Sequence, residues 1–466
     1  MKTLFPNNFN WPAFALVAIV IRVLFSGMDW TSYLAIILAL QQFLLLFNSI
    51  SYVVPIRYLL GAFMCVQFFI GPALAYNGLD QYQYFHYRMK VPETEYFEYA
   101  IPAVMAFIIG LHVKAGNFKG EIVDERGIKL FVEKNPKLPY IFIVLGFLAS
   151  ILSDLFSSEV AFVFYLLGNF KFIGLFLLVL GTKNIKVTPL VIVIGSIISS
   201  SLGDGMFHDL LTWIIFTGSI FAIKYKFGFN TKLLACVGFI FLALTIQVLK
   251  GSYRSATNGN SNTAGLETFS KVYEEQNENS SIFSFERLAP TNVRINQGFI
   301  ITNIMYNVPA KTPFSKGAEM YQIFESAILP RVLAPNKLNA GDKQLFTKYS
   351  GIQLREGTSM GLSSLGDAYI NFGTMGGCIF MFFLGLLYSG VLILFSKQSK
   401  NYPILILFTA LVFYYPIRPD CELQTILGHL FKSCFLIFCL IFFFKKLFLV
   451  KQMPAATLSK PSYVNN

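Results

Sequence analysis

The feature that most constrains this chain is its succession of apolar runs, which repeatedly reach 17 to 24 residues. About 20 apolar residues span the hydrocarbon core of a bilayer as a helix, and only a helix or a closed barrel satisfies its own backbone there. A sliding window of about 19 residues places twelve candidate spans at 11–27, 31–50, 52–76, 97–115, 139–155, 160–181, 187–202, 208–224, 232–250, 367–396, 402–416 and 425–449. Composition agrees: hydrophobic residues make up 55% and Asp, Glu, Lys and Arg only 13% of the chain, about half the charged share of a soluble protein. A soluble domain, a disordered chain, collagen and a coiled coil are all excluded. The expectation is an all-α polytopic membrane protein, its first apolar run a retained helix because no small-residue cleavage site follows it.

The net charge of +12 would suggest nucleic acid in a soluble protein; here its position relative to the spans decides its meaning, and nucleic acid is not expected. With the N-terminus inside, the cytoplasmic connections carry Lys114, Lys119, Arg126, Lys129, Lys134 and Lys137, then Lys183 and Lys186, then Lys224, Lys226 and Lys232, then Lys397 and Lys400. The short outer connections at 156–159 and 203–207 carry no Lys or Arg. This positive-inside pattern predicts that both termini are cytoplasmic. It divides the chain into nine spans over 1–250, a spanless extracytoplasmic segment over 251–366, three spans over 367–449 and a cytoplasmic tail over 450–466. Within the loop, Leu266, Phe269 and Tyr273 fall on one face of a short helix. Met320, Ile323, Phe324, Ala327 and Ile328 follow helical spacing up to Pro330, predicting a helix lying on the outer membrane surface. The six cysteines show neither CxxC nor His-paired spacing, so no disulfide framework or zinc site is expected.

Charges at membrane depth cost about 2.5–3.5 kcal/mol each on insertion scales, so each needs a partner, water or a function. Several collect at the outer boundary: Asp204, His208 and Asp209 opening one span, Lys250 and Arg254 closing the next, Arg22 near the end of the first, and Arg418, Asp420 and Glu422 in the turn at 417–424. Snorkelling is the alternative for Arg22 and Lys250. Glu422, Thr425, His429 and Lys432 form one helical stripe, and Lys171 sits mid-span, either as a pathway residue or as partner to an unseen carboxylate. Five loop arginines, Arg254, Arg287, Arg294, Arg331 and Arg355, offer planar forks suited to the oxygens of a lipid-linked phosphate or diphosphate; loop salt bridges are the alternative. Tyr273, Phe285 and Tyr321 either stack on sugar rings or pack the loop's own core. No Walker loop, GxSxG, HExxH or dinucleotide fingerprint is present.

The run AILPRVLAPNK at 327–337, followed by TSMGLSSLGDAYINFGTMGG at 358–377 leading into a span, resembles the Wzy-type O-antigen and oligosaccharide repeat-unit polymerases. Their Pro-rich external loop returns to the membrane through a Gly-acid-x-Tyr-x-Asn-Phe-Gly segment, matched by Gly366, Asp367, Tyr369, Asn371, Phe372 and Gly373. The family's Arg-x10-Gly spacing occurs at Arg254/Gly265, Arg287/Gly298 and Arg355/Gly366, though in one loop where the family uses two. The resemblance implies a fold similar to type C glycosyltransferases and polymerisation of undecaprenyl-diphosphate-linked repeats at the outer face of the bacterial inner membrane. The lipid-linked oligosaccharide, membrane lipids, a chain-length regulator and a flippase would be its partners. The activated donor supplies the energy, so the scheme needs no cofactor or metal. It needs cations for the leaving diphosphate, drawn from Lys250, Arg254, Arg287, Arg294, Arg331, Arg355 and Arg418. It also needs a proton acceptor among His208, Asp209, Asp367 and Asp420. An O-antigen ligase with the same donor, or a lipid-linked glycan flippase, are the rival readings.

A cysteine placed at position 275 should therefore be labelled by a membrane-impermeant reagent from outside intact cells, and cysteines at either terminus only after permeabilisation; labelling of position 275 from the cytoplasmic side alone would reject the topology.

Overall fold

The computed structural model describes residues 3–450 apart from 7–8, 83–86, 116–120, 154, 157, 258–264, 280–290, 330–336, 339–340, 342 and 355–359. All regular structure among the described residues is helical, with one isolated bridge between Val53 and Ile122. Every one of the twelve apolar runs falls on helix. Eight helices are long and apolar enough to cross a membrane: Trp30–Ser49, Ile56–Tyr76, Glu93–Val113, Ala161–Gly181, Val187–Asp204, Phe229–Thr257, Ser363–Gln398 and Leu423–Phe443. A ninth would be the pair Glu125–Lys134 and Leu138–Ser153, bent by 85°. The runs at 11–27 and 402–416 form the shorter helices Trp11–Leu24 and Leu405–Val412. Large apolar side chains such as Val23, Leu234 and Phe383 are exposed on the outside of the bundle, a surface that suits lipid rather than water. The chain is a polytopic helical membrane protein.

Without a hydrophobic driving force between helices in lipid, close backbone approach at small residues supplies the contact energy. The most extensive helix pair, Glu93–Val113 against Ser363–Gln398, is built this way. A Cβ on Gly110 would come within 2.2 Å of the Phe382 carbonyl oxygen, and one on Gly385 within 2.2 Å of the Phe107 carbonyl oxygen. Gly146 and Gly174 do the same between Leu138–Ser153 and Phe170–Gly181, meeting the Lys171 backbone nitrogen at 2.6 Å and the Pro139 carbonyl oxygen at 2.4 Å. At one end of the bundle the fully buried Arg57 pairs with Glu121 at 2.7 Å and donates to Ser389 Oγ at 2.9 Å and to the Leu111 carbonyl. That ion pair ties four segments together.

At the other end, part of the 251–366 segment enters the bundle. The Ile56–Tyr76 helix opens into a π-helical turn at Val66–Ile70, immediately before Gly71 and Pro72, whose missing N–H and ring disfavour a regular helix. The freed Gln67 carbonyl accepts the Gln297 backbone N–H at 3.1 Å, and Asn292 Nδ2 donates to the Gly71 carbonyl at 3.1 Å. Gly71 and Gly298 permit this approach: a Cβ on either would meet Asn296 Cα at 2.6 Å or Pro72 Cγ at 2.4 Å. The Gly298–Asn307 helix that follows is almost entirely buried.

The two amphipathic loop helices form, with altered faces. Leu266–Asn279 buries Val272 and stacks Phe269 against Tyr253 and Phe207, while Leu266 and Tyr273 stay exposed. Ala318–Ile328 buries Met320, Ile323 and Ala327 against the Leu423–Phe443 helix, with Ile328 exposed. Instead of lying free on a surface it is packed onto the bundle, its Ala327 touching the position a Cβ on Gly428 would take. Pro330 lies outside the described residues.

Overpacking a tight helix crossing costs about 1–3 kcal/mol or more. Gly385→Val should lower the thermal midpoint of the detergent-solubilised protein by several degrees. Gly390→Ala on the same helix, where nothing lies within 4 Å of the added Cβ, should leave it within about a degree.

Candidate active site

Four elements bring charged side chains together at the end that holds the π-helical turn. The Val187–Asp204 helix ends at Gly205 in the left-handed conformation, φ 59°, which stops the helix and turns the chain into His208–Tyr225. Arg254 Nε donates to the Gly205 carbonyl at 3.0 Å, and the Tyr253 hydroxyl to that of Leu202 at 3.0 Å. Arg254, an exposed residue, thus holds the turn that carries His208 and Asp209 through one nitrogen.

One turn earlier on the same long helix stands Lys250, half-buried and in electrostatic range of Arg254, Arg294, Arg418 and Asp420. Arg294 arrives on the segment seated over the π-helical turn. Burial and the neighbouring Arg254 guanidinium push its pKa below the usual arginine value, yet an arginine remains charged. Arg418 comes from the turn after Leu405–Val412. Burial works against its charge, but Cys421, Asp420, Tyr414 and Tyr415 outweigh that and raise its pKa. Its Nη2 lies 3.5 Å from Asp420 Oδ2, and Gln67 Nε2 is 3.5 Å from Asp420 Oδ1. Arg254, Arg294 and Arg418 therefore gather within electrostatic range of Lys250, with Asp420 the carboxylate beside Lys250 and Arg418, an excess of positive charge in a partly buried place. Such a cluster repels itself until an anion arrives.

Nearby, His208 and Asp209 form an ion pair, Nε2 to Oδ1, with side chains 37% and 39% exposed. Asp209 lies within range of Arg418 and beside the buried Tyr414 hydroxyl. Of the eleven candidates, the structure thus brings seven to one end: Lys250, Arg254, Arg294, Arg418, Asp420, His208 and Asp209. Arg287, Arg331 and Arg355, with Phe285, lie outside the described residues.

Asp367 is placed apart from the cations. Only 5% exposed, it accepts the Leu423 backbone N–H, and its charged neighbours are Glu422 and Glu319. Ile323, Phe346, Leu362, Glu422 and Asp367 line a cavity of about 20 Å³, room for one water. The rest of that segment builds the fold. Asn371 Oδ1 accepts from Ser315 Oγ at 2.5 Å and from the Met320 backbone N–H at 3.0 Å, satisfying the open end of the Ala318–Ile328 helix. Gly373, at φ 65° and ψ −163°, kinks the Ser363–Gln398 helix in a region open essentially to glycine alone.

The other intramembrane charges are accounted for by packing. Arg22 donates to the Met28 carbonyl at 2.5 Å and stacks on Trp30. His429 is sealed, its Nε2 2.8 Å from the Leu411 carbonyl oxygen, and Lys432 lies 4.6 Å over Phe162. The Lys171 ammonium lies 5.1 Å from the Phe147 ring and 5.7 Å from Phe172, and no ion pair joins it to a carboxylate among the described residues. Tyr273 and Tyr321, expected in a loop core, are exposed, Tyr321 by 70%. Gln67 and Tyr414 escaped sequence reasoning. Gly71-Pro72 inside an apolar run was the available signal for Gln67; nothing local marks Tyr414. Comparison with known protein families, curated proteins and solved structures finds no match for the chain.

If the four cations await an anion, inorganic pyrophosphate should raise the thermal midpoint of the solubilised protein more than chloride at matched ionic strength. Lys250→Gln should lose most of that shift while its own ligand-free midpoint stays level or rises, because removing one cation relieves repulsion.

Proposed function

We propose that this chain is a membrane glycosyltransferase that polymerises undecaprenyl-diphosphate-linked oligosaccharide repeat units into a surface polysaccharide at the outer face of the bacterial inner membrane. In this reading all twelve apolar runs are membrane elements, arranged as in type C glycosyltransferases, both termini are cytoplasmic, and residues 251–366 roof the outer end. The observation that carries it is the convergence of Arg254, Arg294 and Arg418 on Lys250, with Asp420 beside Lys250 and Arg418, at one end of the bundle.

Glycosyl transfer from a lipid diphosphate needs no outside energy. As the bond from the anomeric carbon to the phosphate oxygen breaks, negative charge grows on the leaving diphosphate. Fixed cations aimed at that charge are stronger in the transition state than in the ground state, and stabilisation of this kind is commonly the largest catalytic contribution. Arg294 and Arg418, from different elements, can each form two parallel hydrogen bonds to phosphate oxygens, while Lys250 contributes a point charge. Arg254 contributes from the turn it holds. Asp420 keeps Arg418 aligned between substrates. A flippase would need charge along a path through the bundle, whereas Lys171, His429 and Lys432 are each engaged by aromatic rings or backbone.

Arg418→Lys, which keeps charge but loses the fork, should reduce polymer formation by a factor of about 10–100, the equivalent of losing one charge-assisted hydrogen bond of about 1.5–3 kcal/mol, at unchanged membrane abundance. Deleting the gene should shorten surface glycan to one repeat; long lipid-linked polymer with bare core would indicate a ligase, and single units trapped on the inner leaflet a flippase.

A further inference from the structure

We infer that His208 is the general base that takes the proton from the acceptor hydroxyl, that Asp209 orients its imidazole, and that Tyr414 is the positioning residue for Asp209. The inference rests on the glycosyl-transfer reading above. Consecutive residues of a helix point about 100° apart and do not face each other, yet His208 Nε2 meets Asp209 Oδ1. The contact forms because His208 is the first residue of its helix, where the chain leaves the Gly205 turn that Arg254 holds. A carboxylate on Nε2 fixes the proton on that nitrogen and leaves Nδ1 with a lone pair. Both side chains are more than a third exposed, so a hydroxyl can reach them.

The other candidates fail on access or surroundings. Asp367 is sealed beside Glu422, and His429 is 1% exposed with Nε2 already engaged. Asp420 has Arg418 Nη2 3.5 Å from one carboxylate oxygen and Gln67 Nε2 3.5 Å from the other, so both oxygens are already occupied. The groups facing Asp209 are His208 on its own helix, Tyr165, Tyr414 and Tyr415, and Arg418 and Cys421. Arg418 is in range of both Asp209 and Lys250, and Arg254 holds the turn just before His208, so the dyad and the cations are neighbours. A sugar hydroxyl at His208 and a diphosphate at Lys250 and Arg294 would then flank one anomeric carbon. The hydroxyl oxygen forms a bond to that carbon as the carbon–phosphate-oxygen bond breaks. The bonding pair leaves on the diphosphate, and the hydroxyl proton moves to His208 Nδ1 and then to water.

The test uses the full-length purified protein and, as substrate, the lipid-linked oligosaccharide that accumulates in the deletion strain. His208→Gln should lower kcat on the order of 10²–10⁴-fold with KM changed less than threefold. Asp209→Asn and Tyr414→Phe should keep measurable turnover but displace the acid limb of the pH–rate profile, where wild-type activity falls as the imidazole takes up its proton. Asp367→Asn should leave that limb in place. Pyrophosphate-induced thermal stabilisation should persist in His208→Gln; if that variant does not fold, Asp209→Asn carries the same decision through its pH profile. A His208→Gln enzyme within threefold of wild-type kcat, or an acid limb unmoved in both Asp209→Asn and Tyr414→Phe, overturns the assignment while leaving glycosyl transfer standing. A wild-type protein that does not extend that oligosaccharide overturns the glycosyl-transfer reading itself, and the base with it.

Discussion

The backbones of Glu93–Val113 and Ser363–Gln398 touch at Gly110 and Gly385, and much of the molecule is positioned from that crossing. Two helices meet this closely in a membrane only where side chains are absent, and the reward is many weak dispersion contacts along both backbones. The crossing sets where residues 363–372 emerge. Asn371 then anchors the Ala318–Ile328 helix, which packs on Leu423–Phe443. Glu422, at the start of that last helix, accepts the Gly341 backbone N–H at 2.9 Å, and Asp420 lies just before it. A chain of short-range contacts therefore runs from a glycine pair in the bundle to the cationic cluster at its end.

The bundle treats its charged groups in two ways. Inside, Arg57 is matched by Glu121, Ser389 and a backbone carbonyl, an arrangement whose rupture costs about 3–5 kcal/mol and which serves cohesion. At the opposite end, Arg254, Arg294 and Arg418 crowd within range of Lys250, more cations than the neighbouring carboxylates match. Stability alone would favour dispersing them. Their gathering at one place, from three separate segments of the chain, is what an anionic substrate would require, and the stability lost there is recovered elsewhere in the helix contacts.

How much of this was legible beforehand follows from the range of the interactions involved. All twelve apolar runs became helices because hydrophobic length and backbone satisfaction are local properties. Eight qualify as spans by length and apolarity; the helices Trp11–Leu24, Leu138–Ser153, His208–Tyr225 and Leu405–Val412 do not by themselves, Leu138–Ser153 only as half of a bent pair. The helix around Phe269 was legible from its spacing. Its buried face was not, because Tyr253 and Phe207, distant in sequence, chose Phe269 and Val272 over Leu266 and Tyr273. Asp367 stood out among the candidates through its place in the Gly366–Gly373 segment, yet it is closed off beside Glu422.

The sequence by itself determined an all-helical membrane protein with arginine, lysine, aspartate and histidine collected at the ends of its apolar runs, because apolar length and charge placement are read residue by residue. Only the tertiary structure decided which of those charges meet. Arg294 reaches Lys250 because a π-helical turn in a distant helix opens a carbonyl for Gln297, and Asp209 reaches Tyr414 and Arg418 because the Gly205 turn aims it there. The Gln67–Gln297 and Asp209–Tyr414 approaches join segments far apart in sequence, and only the folded chain brings such segments within reach of each other.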